Sequence, residues 1–321
     1  MFPRAQVGPA LSALAMLASL SGCATGSSTP ALRLVSPAIL SGIRPDAQHF
    51  GNDWMYSTSP GSNEATVYRR RGTALKYHET LSLDISSPQG SVATRSGWWY
   101  VANGGGSNVL IYRTTSKGPV GPVGTPLDDS GEVPVNVGLT PNRDLVAVSN
   151  SASAGSGTGS VSVYLNRGTE PSRVLTYGTD LLAGEGVAID PQGNCYWSFD
   201  DASKLTAVGS IVKFAQCNGS GTPVISGITS AGGVAFDLNG NLYYIDQASG
   251  VYKCQGISDC KLFATGFGLA VSLNFDAKDR HLWVADATGY LDAVDPSTGE
   301  IESRTVSVNG DPYGIAPSPG S

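Results

Sequence analysis

The chain is poor in charge, in histidine and in the motifs of common enzymes. Aspartate, glutamate, lysine and arginine make up 14% of its 321 residues, it has three histidines, and its formal net charge is −6. Neutralising phosphates requires a basic face, so this composition argues against nucleic acid as a partner. The one basic cluster, Arg69-Arg70-Arg71, is predicted to be a solvated strand end. Gly-x-Ser-x-Gly, Gly-Lys and His-Glu-x-x-His are all missing from the sequence, and no motif therefore predicts a catalytic residue.

Long apolar runs are also missing. The N-terminus reads Met1-Phe-Pro-Arg4 and continues into an apolar, small-residue stretch from Ala10 to Leu20. That stretch is about a dozen residues long, whereas a membrane-spanning helix needs roughly 20. This layout is typical of a secretory signal peptide, which we predict over residues 1–22.

The tetrapeptide Leu20-Ser21-Gly22-Cys23 resembles the bacterial lipobox. That resemblance implies cleavage before Cys23 and acylation of Cys23, with two or three lipid chains holding the protein at a membrane. An ordinary signal peptide with a chance cysteine is the alternative. Ala24 rather than Asp after the cysteine implies the outer membrane in sorting of the enterobacterial type, so we expect a lipid-anchored protein of the bacterial cell envelope.

Residues 23–46 contain scattered prolines and a Gly-Ser-Ser-Thr-Pro segment. This composition predicts the lipidated cysteine followed by a flexible tether, with the folded domain over residues 47–321. The four remaining cysteines predict two disulfides in an exported chain. Cys254 and Cys260 bracket a turn-like stretch, which leaves Cys195 to pair with Cys217; a four-cysteine metal site is the alternative, although the zinc-knuckle spacing is missing.

A strand of aromatic and β-branched residues recurs along the chain, each copy ending in Ser, Asn or Asp. The end positions are Ser57, Asn103, Asn150, Asp200, Asp246 and Asp286, separated by 46, 47, 50, 46 and 40 residues. A period of this length suits a four-stranded sheet per repeat. Turn signals such as Asp-Pro-Gln-Gly-Asn194 and Asp-Leu-Asn-Gly-Asn241 precede several copies, so each repeat opens with a hairpin.

Six such repeats predict an all-β, six-bladed β-propeller of four-stranded antiparallel blades, an arrangement that limits exposed strand edges. The first repeat lacks an inner strand, whereas residues 312–317 supply a surplus one at the other end. We therefore expect the N- and C-terminal segments to pair and close the ring. In the aromatic pairs Trp98-Trp99 and Tyr243-Tyr244, alternation along a strand predicts that one member of each pair is core.

The recurring Val-Ala-x-Asp-x-x-Gly-Asn and Tyr-x-x-Asp elements, seen for example over residues 234–246, and the Gly-x-Val-x-x-Tyr element, seen over residues 159–164, resemble NHL-type propeller repeats. The resemblance covers nearly all of the chain from about residue 53 to residue 317. It implies the propeller fold, but a fold by itself does not define a function.

Propellers often act at the central channel. Six-bladed proteins of the senescence-marker-protein and gluconolactonase family hold a divalent metal there on Glu, Asn and Asp side chains, a chemistry that needs several converging oxygens. The repeat register places at that ring Gln89, Val135, Glu185, Gly232, Val271 and Pro312. Glu185 and Gln89 are therefore weak metal candidates, and a shift of one residue would add Asn136 and Asp311 but lose Glu185.

The repeated Asn and Asp at the strand ends are predicted to accept hydrogen bonds from turn N–H groups, because a device present in every blade is structural. His281 is likewise expected to have a structural role. We predict a non-catalytic scaffold that binds a protein, glycan or small-molecule ligand in the envelope and needs no cofactor. The alternative is a metal-dependent lactonase-like or esterase-like hydrolase that uses the channel and a divalent cation such as calcium.

Overall fold

The computed structural model describes residues 54–151, 158–178, 182–201, 203, 208–276 and 278–318. The predicted signal peptide, Cys23 and the predicted tether lie outside these residues. The strands of the first half are β1 (Trp54–Ser59), β2 (Glu64–Arg71), β3 (Ala74–Leu81), β4 (Pro88–Ala93), β5 (Trp98–Asn103), β6 (Asn108–Thr115), β7 (Gly118–Val120), β8 (Leu127–Asp128), β9 (Val133–Leu139), β10 (Leu145–Ser151), β11 (Ser160–Leu165) and β12 (Arg173–Leu175).

The second half continues the same alternation of short strands and tight turns. Its strands are β13 (Leu182–Ile189), β14 (Cys195–Asp201), β15 (Val208–Phe214), β16 (Thr222–Ile228), β17 (Ala231–Phe236), β18 (Leu242–Asp246), β19 (Gly250–Gln255), β20 (Ser258–Ala264), β21 (Ala270–Phe275), β22 (Leu282–Asp286), β23 (Tyr290–Val294), β24 (Ile301–Val306) and β25 (Gly314–Pro317). In the described part of the chain, no helix is long and apolar enough to cross a membrane.

These strands form six antiparallel sheets in a ring, which confirms the predicted six-bladed β-propeller. We number the blades in chain order, blade 1 being β25-β1-β2-β3 and blade 6 being β21-β22-β23-β24, and we letter the strands A to D from the channel outward. The A strands of successive blades contact each other all round the ring, from β25 through β4, β9, β13, β17 and β21 back to β25. Blade 2 differs from the others because the two-residue β8 also pairs with β6.

The two ends of the chain close the ring, as predicted. β25 pairs with β1 in antiparallel register, with Gly314 opposite Thr58. The backbone N–H of Trp54 donates to Ser318 Oγ at 3.1 Å, and the Ser318 N–H donates to the Trp54 carbonyl at 2.9 Å. Blade 1 is thus assembled from both termini of the domain, and its order depends on the whole ring.

Arg70 is buried beside this closure, where the sequence favoured a solvated Arg69-Arg70-Arg71 strand end. Its Nη1 lies 3.4 Å from Asp276 Oδ2 in blade 6, and its Nη2 donates to the Ser318 carbonyl at 3.2 Å. Arg69 and Arg71 remain exposed, as expected. The interpretation was therefore wrong for Arg70, because every second side chain of β2 faces the neighbouring blade.

The core lies between the blades. Four tryptophans near the start of the B strands are fully buried, namely Trp54, Trp99, Trp197 and Trp283. Trp99 of blade 2 stacks on Tyr56 of blade 1 with ring centroids 4.4 Å apart, a contact that adds to the burial of apolar area. Because each blade is covered on both faces, Tyr243 and Tyr244 are both buried, and the expectation of one core residue per pair holds only for Trp98-Trp99.

Both predicted disulfides are present. Cys254 and Cys260 join β19 to β20 across their hairpin, and Cys195 at the start of β14 joins Cys217 in the 3₁₀ turn after β15. Each bond stays within one blade. Two disulfides indicate an oxidising, non-cytoplasmic compartment.

Candidate binding face and central channel

A β-bulge near the start of the A strands lies at the mouth of the channel. The register shifts between Pro88 and Ser91 in β4, and equivalent shifts occur in β9, β13, β17 and β21. The residues at or beside these shifts are Gln89, Val135, Glu185, Gly232 and Val271, five of the six that the repeats predicted. A bulge re-aims a side chain that would otherwise follow the strand alternation.

In blade 1 the equivalent residue is Tyr313 rather than the predicted Pro312. The pairing of Gly314 with Thr58 places Tyr313 at the ring position, where its N–H donates to the Thr58 carbonyl. Pro312 is buried outside the ring. The prediction was off by one residue because this last inner strand has no downstream turn of its own to align.

Glu185 faces a channel with few groups to stabilise a negative charge. The Glu185 side chain keeps some solvent-accessible area, but protein atoms surround it on all sides because it lines a narrow passage. Burial, reinforced by the carboxylate of Asp200, raises the pKa of Glu185 well above its ordinary value. The raised pKa favours the protonated form of this carboxyl, which can donate one hydrogen bond and accept others.

Tyr313 lies on the opposite side of the same ring, since blades 1 and 4 face each other in a ring of six. Burial raises the pKa of its phenol, and the nearby Glu185 and Asp311 raise it further. The mouth of the channel thus combines a carboxyl with a raised pKa, a phenol and the Gln89 amide. These groups suit hydrogen bonding to an uncharged polar ligand.

Asn274 narrows the channel deeper inside. Its Nδ2 donates to the Ser91 carbonyl of blade 2 at 3.1 Å and to the Ile315 carbonyl of blade 1 at 2.6 Å. One side chain of blade 6 thus ties three inner strands together. Glycine allows the close approach of the strands at this depth, because a Cβ on Gly186 would lie 2.9 Å from the Gly233 Cα.

The channel residues do not fit the metal site of gluconolactonase-like propellers. Calcium takes six to eight oxygen ligands, whereas the ring offers one carboxyl, one amide and one phenol beside two valines and a glycine. Within the described ranges, no group of three or more His, Cys, Asp or Glu side chains is arranged to hold a metal ion. No step of metal chemistry can be derived from these residues.

The repeated acids and amides at the B-strand ends have the predicted structural role in blades 2, 4, 5 and 6. The prediction was wrong for Asn150 of blade 3, which donates from Nδ2 to the hydroxyls of Ser160 and Ser162 and whose Oδ1 accepts no hydrogen bond from the described residues. Asp286 accepts hydrogen bonds from the N–H groups of Gly268 and Leu269 at 2.7 and 2.9 Å. Asp246 accepts from Thr229 and Ser230, and Asn103 accepts from Ser86. These side chains fix the loops that lead into the A strands and so make this end of the propeller rigid.

His281 also has a structural role, as expected. Its Nδ1 lies 3.1 Å from Asp276 Oδ2, and its Nε2 lies 3.5 Å from Glu302 Oε2. In blades 4 and 5 the corresponding turn acids, Asp190 and Asp237, bind an asparagine side chain instead, at 2.7 Å in each case. The histidine therefore completes a turn.

The two ends of the propeller differ in charge. The loop face, formed by the B–C turns and the D–A connections, carries Glu64, Asp84, Asp128, Asp129, Glu132, Asp200, Asp201, Asp246, Asp286 and Asp311. No described residue of these segments is Lys or Arg. The turn face, formed by the A–B and C–D turns, carries both signs, but its turns at 71–74, 93–98 and 115–118 hold Arg71, Arg95 and Lys117 without an acid.

A surface depression of about 400 Å³ lies at the outer edge between blades 3 and 4. Its lining comprises residues 174–178 and 219–221 and contains no ionisable group except the phenol of Tyr177. This site is distant from the channel and has few polar side chains that could orient a ligand.

Comparison with known proteins supports the fold and extends no further. No protein-family model matches the chain, and no curated protein matches it. A solved structure described as a functionally unknown protein from Desulfotomaculum acetoxidans DSM 771 is similar, with a TM-score of 0.57 and 11% sequence identity; the match covers 84% of this chain and 100% of that one. The protein is thus a disulfide-bonded six-bladed β-propeller, and the resemblance to NHL-type repeats stays a prediction.

Proposed function

We propose that this protein is a lipid-tethered, non-catalytic binding scaffold of the bacterial cell envelope, which presents its loop face to a protein, glycan or small-molecule ligand. The observation that carries the proposal is the ring formed by Gln89, Glu185 and Tyr313. It supplies hydrogen-bonding groups, two of them with a raised pKa, at the mouth of a channel that Asn274 narrows deeper inside. Kinship with NHL-type repeat proteins is part of the same proposal and is supported by the Asp-x-x-Gly-Asn turns of blades 4 and 5.

A metal-dependent hydrolase of the lactonase kind is the second candidate. The raised pKa of Glu185 favours it, since strongly perturbed carboxyls in clefts are frequent at functional sites. The small number of oxygen ligands around Glu185 opposes it. The two candidates therefore differ in whether a divalent cation binds at this ring.

Thermal unfolding after chelation, with and without calcium, zinc or magnesium, separates the two candidates. A ligand at a hundred times its Kd stabilises the native state by about 2.7 kcal/mol, which raises Tm by at least several degrees in a domain of this size. The scaffold proposal expects no shift that depends on Glu185. A cation-induced rise in Tm of the unsubstituted protein that is lost in Glu185→Gln would favour the hydrolase. Gln89→Glu serves as a second variant of the same ring.

The tether is tested separately, by fractionating cells that express the unsubstituted chain or Cys23→Ser. Acylation at Cys23 should leave the unsubstituted protein in the membrane pellet after a wash at high salt, because acyl chains hold through apolar contacts that salt does not weaken. Cys23→Ser should move to the soluble fraction, whereas Ser21→Ala should behave like the unsubstituted chain. N-terminal sequencing shows whether residues 1–22 have been removed from Cys23→Ser, and retention of the cleaved variant in the high-salt pellet would contradict a lipid anchor.

A further inference from the structure

We propose that the turn face of blades 1 to 3 is a docking surface for anionic phospholipid headgroups. Its basic strip comprises Arg69, Arg71, Lys117, Arg113 and Arg143. Two acids lie at its margin, Glu79 beside the Lys117 turn and Asp144, which pairs with Arg167. The inference rests on the proposed function in one respect, since it takes the tether to end at a membrane. In the docked state the turn face would lie on the bilayer and the acidic loop face would point away from it.

The chain enters the domain within this strip. Trp54, the first described residue, donates from Nε1 to the Thr115 carbonyl of blade 2 at 3.0 Å. The Arg69 guanidinium lies over the Trp54 ring, 4.4 Å from its centroid, and Arg69 Nη2 reaches the Ser116 carbonyl at 3.5 Å. The exposed side chains of Arg69 and Arg71 therefore adjoin the turn that carries the exposed Lys117.

The strip continues from blade 2 to blade 3 through a half-buried tryptophan. The guanidinium groups of Arg113 and Arg143 lie 4.8 and 4.1 Å from the centroid of the Trp98 ring. Burial, together with the positive charge of Arg143, lowers the pKa of Arg113. A phosphate placed between these groups would relieve their repulsion, and tryptophan beside arginine is a combination that suits the interfacial zone of a bilayer.

A lipid surface fits this strip better than a soluble polyanion does, because the tether would hold the strip close to a membrane. There are 30 residues between Cys23 and Trp54; if they act as the flexible tether that the sequence predicts, their mean reach is about 30 Å. A face held at that range from anionic headgroups meets them at high local concentration. The loop face is less suited, because its described turns and connections carry acids and no Lys or Arg, and Arg304, which reaches this end, is paired with Asp286 and Asp292.

The test uses the mature chain, which begins at residue 23, with Cys23→Ser, so that neither a lipid nor the apolar signal segment contributes to binding. Binding is measured by flotation with vesicles of phosphatidylcholine alone or with about one-third phosphatidylglycerol. We expect at least roughly tenfold stronger binding to the anionic vesicles at low salt, falling steeply at about 0.5 M salt because the contacts are screened. Equal binding to both kinds of vesicle would overturn the proposal.

Two variants with the same change in net charge locate the surface. Arg71→Gln/Lys117→Gln/Arg143→Gln removes charge from the strip, whereas Leu83→Glu/Val306→Glu/Val308→Glu adds acids at the other end of the sheets at positions that are 68%, 68% and 54% exposed. The first variant should lose at least roughly tenfold in binding to anionic vesicles, and the second should retain it. An equal loss of vesicle binding in the two variants would show that binding depends only on net charge, and it would contradict a defined docking surface.

Folding and the competing occupant are controlled in the same series. Each variant must keep the circular dichroism spectrum and Tm of the parent; if the triple variant does not, Arg71→Gln/Lys117→Gln carries the test, since both side chains are exposed. Heparin serves as a soluble polyanion. Binding to heparin without binding to phosphatidylglycerol vesicles would assign the strip to a soluble polyanion and overturn the lipid proposal.

Discussion

Buried carboxyls in this propeller behave according to the number of hydrogen-bond donors that each one finds. Burial alone would raise the pKa of Asp286, but bonds from Thr288, Gly268 and Leu269 outweigh it and hold that pKa below its ordinary value. Asp129 has a sparser set of donors, with Ser162 Oγ at 2.6 Å. Burial therefore dominates there and raises the pKa of Asp129 to about 6.

This difference predicts the effect of pH on stability at Asp129. Because the folded-state pKa is raised, the contribution of Asp129 to stability is greatest below about pH 4 and is lost as the pH rises towards about 6. Asp129→Asn removes the ionisation. It should increase the free energy of unfolding at pH 7.5 by about 1–3 kcal/mol and leave it nearly unchanged at pH 4.

Urea unfolding at the two pH values checks this expectation. Asp128→Asn is the matched control, because Asp128 precedes Asp129 in the chain but bonds with the exposed Ser130. The control should change the free energy of unfolding by less than about 0.5 kcal/mol at either pH. Asp129→Asn that is less stable than the unsubstituted protein at pH 7.5 would contradict an ionisation penalty at this site.

Within single elements, the two disulfides close loops of different length. Cys195 and Cys217 are 22 residues apart, whereas Cys254 and Cys260 are 6 residues apart on one hairpin. The chain-entropy model assigns about 3 kcal/mol to the longer loop and about 2 kcal/mol to the shorter one. The packing of Cys195 and Cys217 beside Trp197 and Phe214 should widen that difference.

We therefore expect Cys195→Ala/Cys217→Ala to lower the free energy of unfolding by at least about 1 kcal/mol more than Cys254→Ala/Cys260→Ala. Urea unfolding of the two double variants beside the oxidised parent measures both losses. An equal or reversed order would mean that hairpin geometry, and not loop length and burial, sets the contribution of each bond.

For the whole molecule, the seam between blades 6 and 1 decides whether the ring stays closed. Arg70 and Asp276 are both buried there, and removing one partner of a buried ion pair weakens the compensation of the other charge. Without Arg70, Asp276 keeps its contact with His281 and its bonds from the N–H groups of Lys278 and Arg280. Arg70→Met should therefore cost about 3 kcal/mol of unfolding free energy. Arg71→Met, one residue further along and exposed, should cost less than about 0.5 kcal/mol.

Thermal and urea unfolding of these two variants measure the difference, and limited proteolysis shows where the ring opens. Cleavage in Arg70→Met is expected first around β25, whose pairing with β1 lies beside this ion pair. A small and equal effect of both substitutions would show that strand pairing alone holds the seam.

The sequence by itself determined the repeat, the number of blades, the closure of the ring by its two ends and both disulfide pairs. These features depend on local signals, namely turn residues, strand alternation and cysteine spacing, which recur at a regular period. It also identified most of the channel ring, including Glu185 and Gln89, because every blade repeats the same register.

Only the tertiary structure decided which side chains meet across blades. The pairing of Arg70 with Asp276 joins residues 206 positions apart, and Tyr313 rather than Pro312 entered the ring because of its register with Thr58. The separation of an acidic loop face from a basic strip likewise follows from strand direction around the ring, so that residues scattered along the chain share one face. Contacts of this kind form only when the ring closes, because closure of the ring packs both faces of every blade against a neighbouring blade. A local sequence pattern carries no information about which residues then meet.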